Sequence, residues 1–156
     1  MSTPDPSPDR HEPEIVRVVG AAILRRGECL VTQRSRRMAE PLKWEFPGGK
    51  IEDGESPRAA LAREIREELD LVIDVGRSLG SGAHDGGVRR IELEVFAAEI
   101  VSGEIRLREH RDYGWFGAAD VARLDWAAAD RPVLPALVRL LERRAPPFRR
   151  SGQRGD

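Results

Sequence analysis

A chain of 156 residues with 40% hydrophobic and 34% charged residues is typical of one globular domain with a core and a charged surface. The formal net charge of −1 provides no attraction to nucleic acid or to an anionic membrane, and no apolar run approaches the roughly 20 residues that span a bilayer. The single cysteine, Cys29, excludes an internal disulfide and a cysteine-based zinc cluster. We therefore expect a cytoplasmic protein without stable nucleic-acid or membrane binding.

Both ends of the chain differ in composition from its middle. Residues 1–13 hold four prolines and, after the first methionine, no aliphatic residue, so they are predicted to form a disordered tail. Residues 145–156 are predicted to form a flexible basic tail. The domain itself is expected to cover residues 14–144.

The first part of the domain has the pattern of short strands. The β-branched run Ile15–Leu24 and the segment Cys29–Gln33 predict a hairpin. Residues Ser35–Pro41 follow as a loop, and Trp44–Phe46 are predicted to be extended up to a tight turn at residues 47–49.

The hydrophobic period changes at Ser56, which is followed by Pro57, a combination typical of a helix start. Leu61, Ile65 and Leu69 recur at every fourth position and predict one buried stripe. Residues Gly80–Gly87 are expected to form a flexible loop. The other predicted elements are strands at Val72–Val75, Val88–Ile100, Ile105–Leu107 and Tyr113–Phe116, and helices at Ala118–Leu124 and Asp130–Arg144. This order favours a mixed α/β domain over a doubly wound parallel sheet.

Three carboxylates lie close together on the first predicted helix. At 100° per residue, Glu64, Glu67 and Glu68 fall within a sector of roughly 100° that borders the apolar stripe. Crowding and burial disfavour their charged forms, and a hard divalent cation such as Mg²⁺, with Mn²⁺ as a substitute, relieves both costs. The alternative is a solvated helix with an ion pair between Arg63 and Glu67.

A glycine turn with a lysine, Pro47–Lys50, precedes this helix. It allows the backbone to approach a ligand closely and places an ammonium nearby, although the same residues also suit an ordinary tight turn. Together with the acidic helix, it predicts a metal–phosphate site.

The spacing of these residues resembles a known motif. Gly49, five residues, Glu55, seven residues and then the run Arg63–Leu71 (REIREELDL) resemble the Nudix box, G-x5-E-x7-R-E-U-x-E-E-x-G-U, in which U is aliphatic. One position differs, since Asp70 stands where the family has glycine at the helix C-terminus. Because aspartate tolerates the left-handed conformation better than most residues, we expect only a modest effect on stability.

The resemblance extends beyond the box to the MutT-like branch of this family, through Val31–Arg34, Lys43–Glu52 and Trp126–Leu134. It implies an α/β/α sandwich and a Mg²⁺-dependent nucleoside triphosphate pyrophosphohydrolase that releases a nucleoside monophosphate and pyrophosphate. Such an enzyme could sanitise 8-oxo-dGTP or act on cytidine nucleotides, as a monomer or a homodimer. The alternatives are a non-catalytic nucleotide sensor and a Nudix hydrolase of another nucleoside diphosphate derivative.

The resemblance also suggests which residues form the metal site. Glu64, Glu67 and Glu68 are the expected metal ligands, with a carbonyl of Gly48 or Gly49. Glu64 is the first choice as the base that activates water, and Glu109 is an alternative ligand or base. Arg63 is expected to orient a neighbouring carboxylate, and Glu55 to support the loop.

A further set is expected to bind the substrate. Arg34 and Lys50 are the candidate phosphate clamps, and Asp130 is expected both to read the base and to cap the last helix. Phe46 and Trp126 either flank the base or pack in the core. The remaining candidates are Glu45, Pro47 and Gly48, while His84 could cover the base and His110 is expected to be structural or solvated.

Overall fold

The computed structural model describes residues 11–144 of the chain. Residues 11–13 have no regular secondary structure, and the rest of the predicted N-terminal tail and the whole predicted tail at 145–156 lie outside the described residues. The domain boundaries at 14 and 144 therefore stay a prediction. No helix within the described range is long and apolar enough to cross a bilayer.

Four strands precede the first helix, and three more strands separate it from the helices at the C-terminal end of the described range. The strands are β1 (Glu14–Arg25), β2 (Glu28–Gln33), β3 (Trp44–Glu45), β4 (Gly48–Lys50), β5 (Leu71–Asp85), β6 (Arg89–Gly103) and β7 (Asp112–Phe116). The helices are α1 (Pro57–Leu69), α2 (Ala118–Val121) and α3 (Leu134–Arg144), with a 3₁₀ turn at Arg131–Val133 before α3.

The strands form one mixed sheet in the order β3-β2-β1-β6-β5, with β4 paired to β1 and β7 paired to β2. The β1–β6 pair is parallel, and the other pairs are antiparallel. The predicted hairpin of β1 and β2 and the predicted fold class are therefore confirmed.

The alternation of side chains along β1 divides the core into two layers. Val19, Ala21 and Ile23 face the layer of α1, whereas Ala22 and Leu24 face the layer of α3. All five are buried, and so is the predicted stripe of α1. The result is an α/β/α sandwich, as expected.

The ends of α1 have the predicted chemistry. The Ser56 hydroxyl accepts a hydrogen bond from the Ala59 amide at 3.2 Å, and Pro57 occupies the first turn. At the other end, Asp70 has the left-handed backbone, with φ 58°, and its amide donates to the Arg66 carbonyl at 3.1 Å. Asp70 therefore adopts the conformation for which the family motif has a glycine.

Two of the predicted elements are wrong. Residues Gly80–Gly87 do not form a flexible loop, because β5 runs through to Asp85 and pairs with β6, with irregular register near Gly80. Residues Ile105–Leu107 do not form a strand. The Arg106 amide donates instead to the Leu69 carbonyl at 3.0 Å, and Ile105 and Leu107 pack against the α1 layer.

Further predicted boundaries shift around the site. The glycine segment is not a simple turn, because Gly48–Lys50 pair with β1 as strand β4. The short helix α2 ends at Val121, before the predicted Leu124. Regular α-helix at the C-terminal end begins at Leu134, after the 3₁₀ turn, instead of at residue 130.

Candidate metal site and nucleotide cleft

Two adjacent glycines bring β4 into close contact with the sheet and with α1. Gly48 pairs with Gly20 of β1, and a Cβ at position 48 would collide with the Val19 carbonyl oxygen. A Cβ at Gly49 would collide with the carboxylate of Glu64. The second glycine therefore allows a helix carboxylate to lie directly against the β4 backbone.

Arg63 connects α1 to the segment that follows β4. Its guanidinium donates two hydrogen bonds of 2.8 Å to Glu55 and one of 3.2 Å to the Lys50 carbonyl. It also donates to Glu64 at 3.0 Å and to Glu67 at 3.3 Å. The hydrogen bond from Arg63 lowers the pKa of the Glu55 carboxyl to about 2. These contacts place Arg63 among the carboxylates it was expected to orient.

The three helix carboxylates have different environments. Burial raises the pKa of Glu68 to about 7 and also raises the pKa of Glu64, against the opposing effect of Arg63. The Glu67 side chain is 59% exposed. Within residues 11–144, no three Asp, Glu, His or Cys side chains form a ready-made metal cluster.

A second chain of ionic contacts runs from Arg34 through Glu45 and His110 to Glu68. Arg34 donates to Glu45 Oε2 at 2.7 Å, and the other oxygen of Glu45 lies 2.8 Å from His110 Nε2. His110 Nδ1 faces Glu68 Oε2 at 3.7 Å, and both atoms are buried without a hydrogen-bond partner among the described residues. His110 is thus buried next to Glu68, and the residues around it in the sequence did not indicate this contact.

The donor set fits a hard divalent cation. Carboxylate and carbonyl oxygens are the ligands such ions prefer. Glu64 lies against the Gly49 backbone, and Glu68 retains an oxygen without a hydrogen bond to the described residues. Binding there would neutralise carboxylates whose charge burial disfavours.

A cleft of about 360 Å³ adjoins these carboxylates, a size in the range of small-molecule sites. Its walls include Arg34, Glu45, Phe46, Gly48, Gly49, Lys50, Glu68 and Asp130, together with apolar residues of β1 and β6. A neighbouring cavity of about 460 Å³ shares Arg34 with it and is lined by His84. The structure therefore brings most of the predicted substrate residues into one cleft.

The other predicted site residues lie outside the lining of this cleft. Glu64, Arg63 and Glu67 lie beside it on α1, and the Pro47 carbonyl accepts a hydrogen bond from the Ala21 amide. Glu109 is exposed, and its charge adds to the upward shift in the pKa of Glu68.

The aromatic candidates pack in the core. The ring centroids of Phe46 and Trp126 are 4.8 Å apart, and both residues are buried. The Trp126 indole nitrogen donates to the Val121 carbonyl at 2.8 Å. Of the two alternatives, the geometry favours core packing for Trp126, while Phe46 also contributes to the cleft wall.

Asp130 does not cap the last helix as predicted. Its backbone is helical, with φ −82° and ψ −30°, and its side chain makes no capping hydrogen bond. Instead, Oδ1 accepts a hydrogen bond of 2.9 Å from the Phe46 amide. Burial raises the pKa of the Asp130 carboxyl to about 8, opposed by that hydrogen bond and by Arg34, and supported by the charges of Glu45 and Glu40.

This environment predicts a pH-dependent stability. The folded protein binds this proton more tightly than the unfolded chain does. Its stability therefore falls as pH rises from the ordinary pKa of 3.8, where the unfolded chain ionises, to about 8, where the folded carboxyl ionises as well. In Asp130→Asn, the amide keeps the contact without ionising. Chemical denaturation in EDTA should show the variant gaining up to a few kcal/mol relative to wild type between pH 5 and pH 8.5. A pH-independent difference would contradict this environment.

An α/β/α sandwich in which an acidic helix lies against a glycine strand, beside a nucleotide-sized cleft, defines a metal-dependent hydrolase of the Nudix class. The family model of the NUDIX domain matches residues 14–137 of the chain. The chain belongs to this family, and it is a Nudix hydrolase of the MutT-like branch. Family membership implies a divalent metal ion and small nucleotide substrates.

Named relatives and solved structures agree with this family. A Mycobacterium tuberculosis protein provisionally named 8-oxo-dGTP diphosphatase 2 is 40% identical over 127 residues, which are 80% of this chain and 89% of the relative. The CTP pyrophosphohydrolase of Escherichia coli is 35% identical, over 81% of this chain and 94% of its own. The crystal structure of a MutT protein from Methanosarcina mazei superposes with a TM-score of 0.75 at 26% identity, covering 83% of this chain and 97% of that one.

Proposed function

We propose that the protein is a Mg²⁺-dependent nucleoside triphosphate pyrophosphohydrolase that releases a nucleoside monophosphate and pyrophosphate. The observation that carries this proposal is one cleft lined by four charged or ionisable side chains. They are the cationic Arg34 and Lys50, the helix carboxylate Glu68 and the buried carboxyl of Asp130. A triphosphate needs the first three groups, and a nucleobase needs the fourth.

One group of cleft residues is suited to bind the phosphates of such a substrate and the metal ion. Lys50 is exposed at the cleft and is available to bind phosphate oxygens, whereas the charge of Arg34 is shared with Glu45 and Glu40. Glu64, Glu67, Glu68 and a carbonyl of Gly48 or Gly49 would hold the cation, which lowers the pKa of bound water and offsets phosphate charge. Mn²⁺ should substitute for Mg²⁺, because it accepts the same oxygen donors.

Proton transfer from the attacking water needs a nearby base. We assign this role first to Glu64, because it is half-buried beside Gly49, where the cleft meets α1. Glu109 remains the alternative, since it lies close enough to Glu68 for its charge to raise the pKa of that carboxyl. Arg63 contacts Glu64 and Glu67, so it positions both carboxylates relative to β4.

We propose Asp130 as the residue that reads the base. With one oxygen bonded to the Phe46 amide and a pKa of about 8, the carboxyl is largely neutral at pH 7 and can both donate and accept hydrogen bonds. Cytosine and guanine-type bases both offer matching groups. The names of the relatives, an 8-oxo-dGTP diphosphatase and a CTP pyrophosphohydrolase, support these two substrates.

The experiment compares kcat/KM ratios across canonical and oxidised nucleoside triphosphates. Because the amide mimics a neutral carboxyl, Asp130→Asn should keep the wild-type ratios within about 3-fold at pH 7, while Asp130→Ala should change them by roughly 5- to 150-fold. Above pH 8, wild type should depart from Asp130→Asn as its own carboxyl ionises. Unchanged ratios in Asp130→Ala would assign base recognition elsewhere.

The cellular setting follows from this substrate class. We propose that the enzyme works in the cytoplasm on the free nucleotide pool, as a monomer or a homodimer, and does not bind nucleic acid stably. The near-zero net charge supports the last point, because stable binding to a phosphate backbone draws on clustered positive charge. Removal of oxidised nucleotides from the pool would protect DNA from their incorporation.

A further inference from the structure

His110 lies where three strands bring distant parts of the chain together. It precedes β7, which pairs with β2 in the register Gln33↔Asp112, and the Arg111 amide donates to the Gln33 carbonyl at 3.0 Å. On its other edge, β2 pairs with β3 through Thr32↔Glu45. The imidazole is therefore held between the sheet and the part of α1 that carries the partly buried Glu68.

The Nε2 side of the imidazole is hydrogen-bonded to a carboxylate that is itself held by an arginine. Nε2 lies 2.8 Å from Glu45 Oε1, and Arg34 holds the other oxygen of that carboxylate at 2.7 Å. An ionised carboxylate only accepts hydrogen bonds, so Nε2 carries a proton in this contact. The side chain of His110 is only 2% exposed, which leaves the ring little freedom to turn.

The other side of the ring meets the metal-site carboxylate. Nδ1 faces Glu68 Oε2 at 3.7 Å, too far for a hydrogen bond, and neither buried atom has another partner among the described residues. Buried polar atoms without partners are costly and rare in native proteins. Two of them facing each other indicate a contact that closes when the carboxylate shifts slightly, with Nδ1–H as the donor and Glu68 Oε2 as the acceptor.

We propose that His110 is a positioning residue that holds the Glu68 carboxylate in the orientation that binds the metal ion. This inference rests on the proposed role of Glu68 as a metal ligand. His110 does not itself touch the substrate; it acts through Glu68 and is fixed in turn by Glu45 and Arg34. Partners that orient metal ligands in this way contribute roughly 10- to 100-fold to metal affinity or activity.

Three substitutions separate this role from simple core packing. His110→Phe fills the volume but removes both nitrogens. His110→Asn places an amide group near the position of Nδ1, facing Glu68, whereas His110→Gln places one near Nε2, facing Glu45. Thr32→Val is the matched control, because it removes a partly buried hydrogen bond of 3.2 Å to the Glu45 carbonyl without altering a group that contacts Glu68.

The primary measurement is the Mn²⁺ dissociation constant of each full-length variant, determined by electron paramagnetic resonance, with the Tm of the metal-free protein recorded alongside. We expect His110→Phe and His110→Gln to bind Mn²⁺ roughly 10- to 100-fold more weakly than wild type. His110→Asn should bind Mn²⁺ with an affinity much closer to that of wild type. Thr32→Val should lower the Tm without changing the Mn²⁺ affinity.

Each other outcome gives a definite answer. Wild-type affinity in His110→Phe would overturn the inference while leaving the proposed metal site intact, and so would an equal loss in the Asn and Gln variants. If His110→Phe does not fold, the Mn²⁺ affinities of His110→Asn and His110→Gln still test the inference, because only the Asn variant should bind nearly as tightly as wild type. Absence of saturable Mn²⁺ binding by wild type would overturn the proposed metal site, and this inference with it.

Discussion

Glu68→Gln is expected to lower kcat by roughly 10²- to 10⁴-fold, the range for losing one electrostatic or acid–base participant. The substitution keeps the shape of the side chain but removes the charge that a cation requires. The fold should survive, because burial already disfavours the charged form of Glu68 and raises its pKa to about 7. Steady-state pyrophosphate release at saturating Mg²⁺ and the Tm of the metal-free protein measure the two effects.

The matched control for this prediction is Glu104→Gln, which removes the same charge from an exposed residue outside the site. Its kcat should stay within about 2-fold of wild type, as is usual for surface substitutions. Turnover near the wild-type rate in Glu68→Gln would contradict the assignment of Glu68 as a metal ligand.

Alanine at the two adjacent glycines of β4 should have different effects, on activity at position 49 and on stability at position 48. A Cβ at position 49 meets the end of the flexible Glu64 side chain, so Gly49→Ala should displace that carboxylate and lower kcat by roughly 10- to 100-fold with little loss of stability. A Cβ at position 48 meets the Val19 carbonyl within the sheet, which has less room to move. Gly48→Ala should therefore lower the free energy of unfolding by about 1–3 kcal/mol or more.

Denaturant titration and steady-state kinetics on both variants check this difference. The decisive result is the contrast between neighbouring positions, since each variant serves as the control for the other. Equal losses of stability, or a Gly49→Ala enzyme with wild-type kcat, would show that Glu64 does not need its place against the β4 backbone.

Local patterns were sufficient to predict the helix of the site. The four-residue spacing of Leu61, Ile65 and Leu69 and the cap at Ser56 depend on contacts within a few turns of one helix. The Nudix box likewise lies within one continuous segment, so its resemblance could be recognised without a structure. For the same reason the left-handed backbone of Asp70 was foreseen from the motif position it occupies.

Features that depend on pairing between distant segments could not be predicted in this way. The glycines of Gly80–Gly87 favour a loop locally, but pairing with β6 extends β5 to Asp85. The side chain of Asp130 bonds to Phe46, 84 residues away, so the local capping pattern was misleading. The ionic chain through His110 requires the registers of β2 with β3 and β7, which nothing near residue 110 reveals.

Glu64, Glu67 and Glu68 are expected to support cleavage inside a nucleoside triphosphate. The most direct measurement is ³¹P NMR of the products formed from 8-oxo-dGTP and from CTP with Mg²⁺, with EDTA and Glu68→Gln as controls. We expect equimolar nucleoside monophosphate and pyrophosphate from at least one of these substrates, no cleavage in EDTA, and formation of the same products roughly 10²- to 10⁴-fold more slowly by Glu68→Gln. Inorganic phosphate with a nucleoside diphosphate, or undiminished cleavage in EDTA, would contradict this expectation.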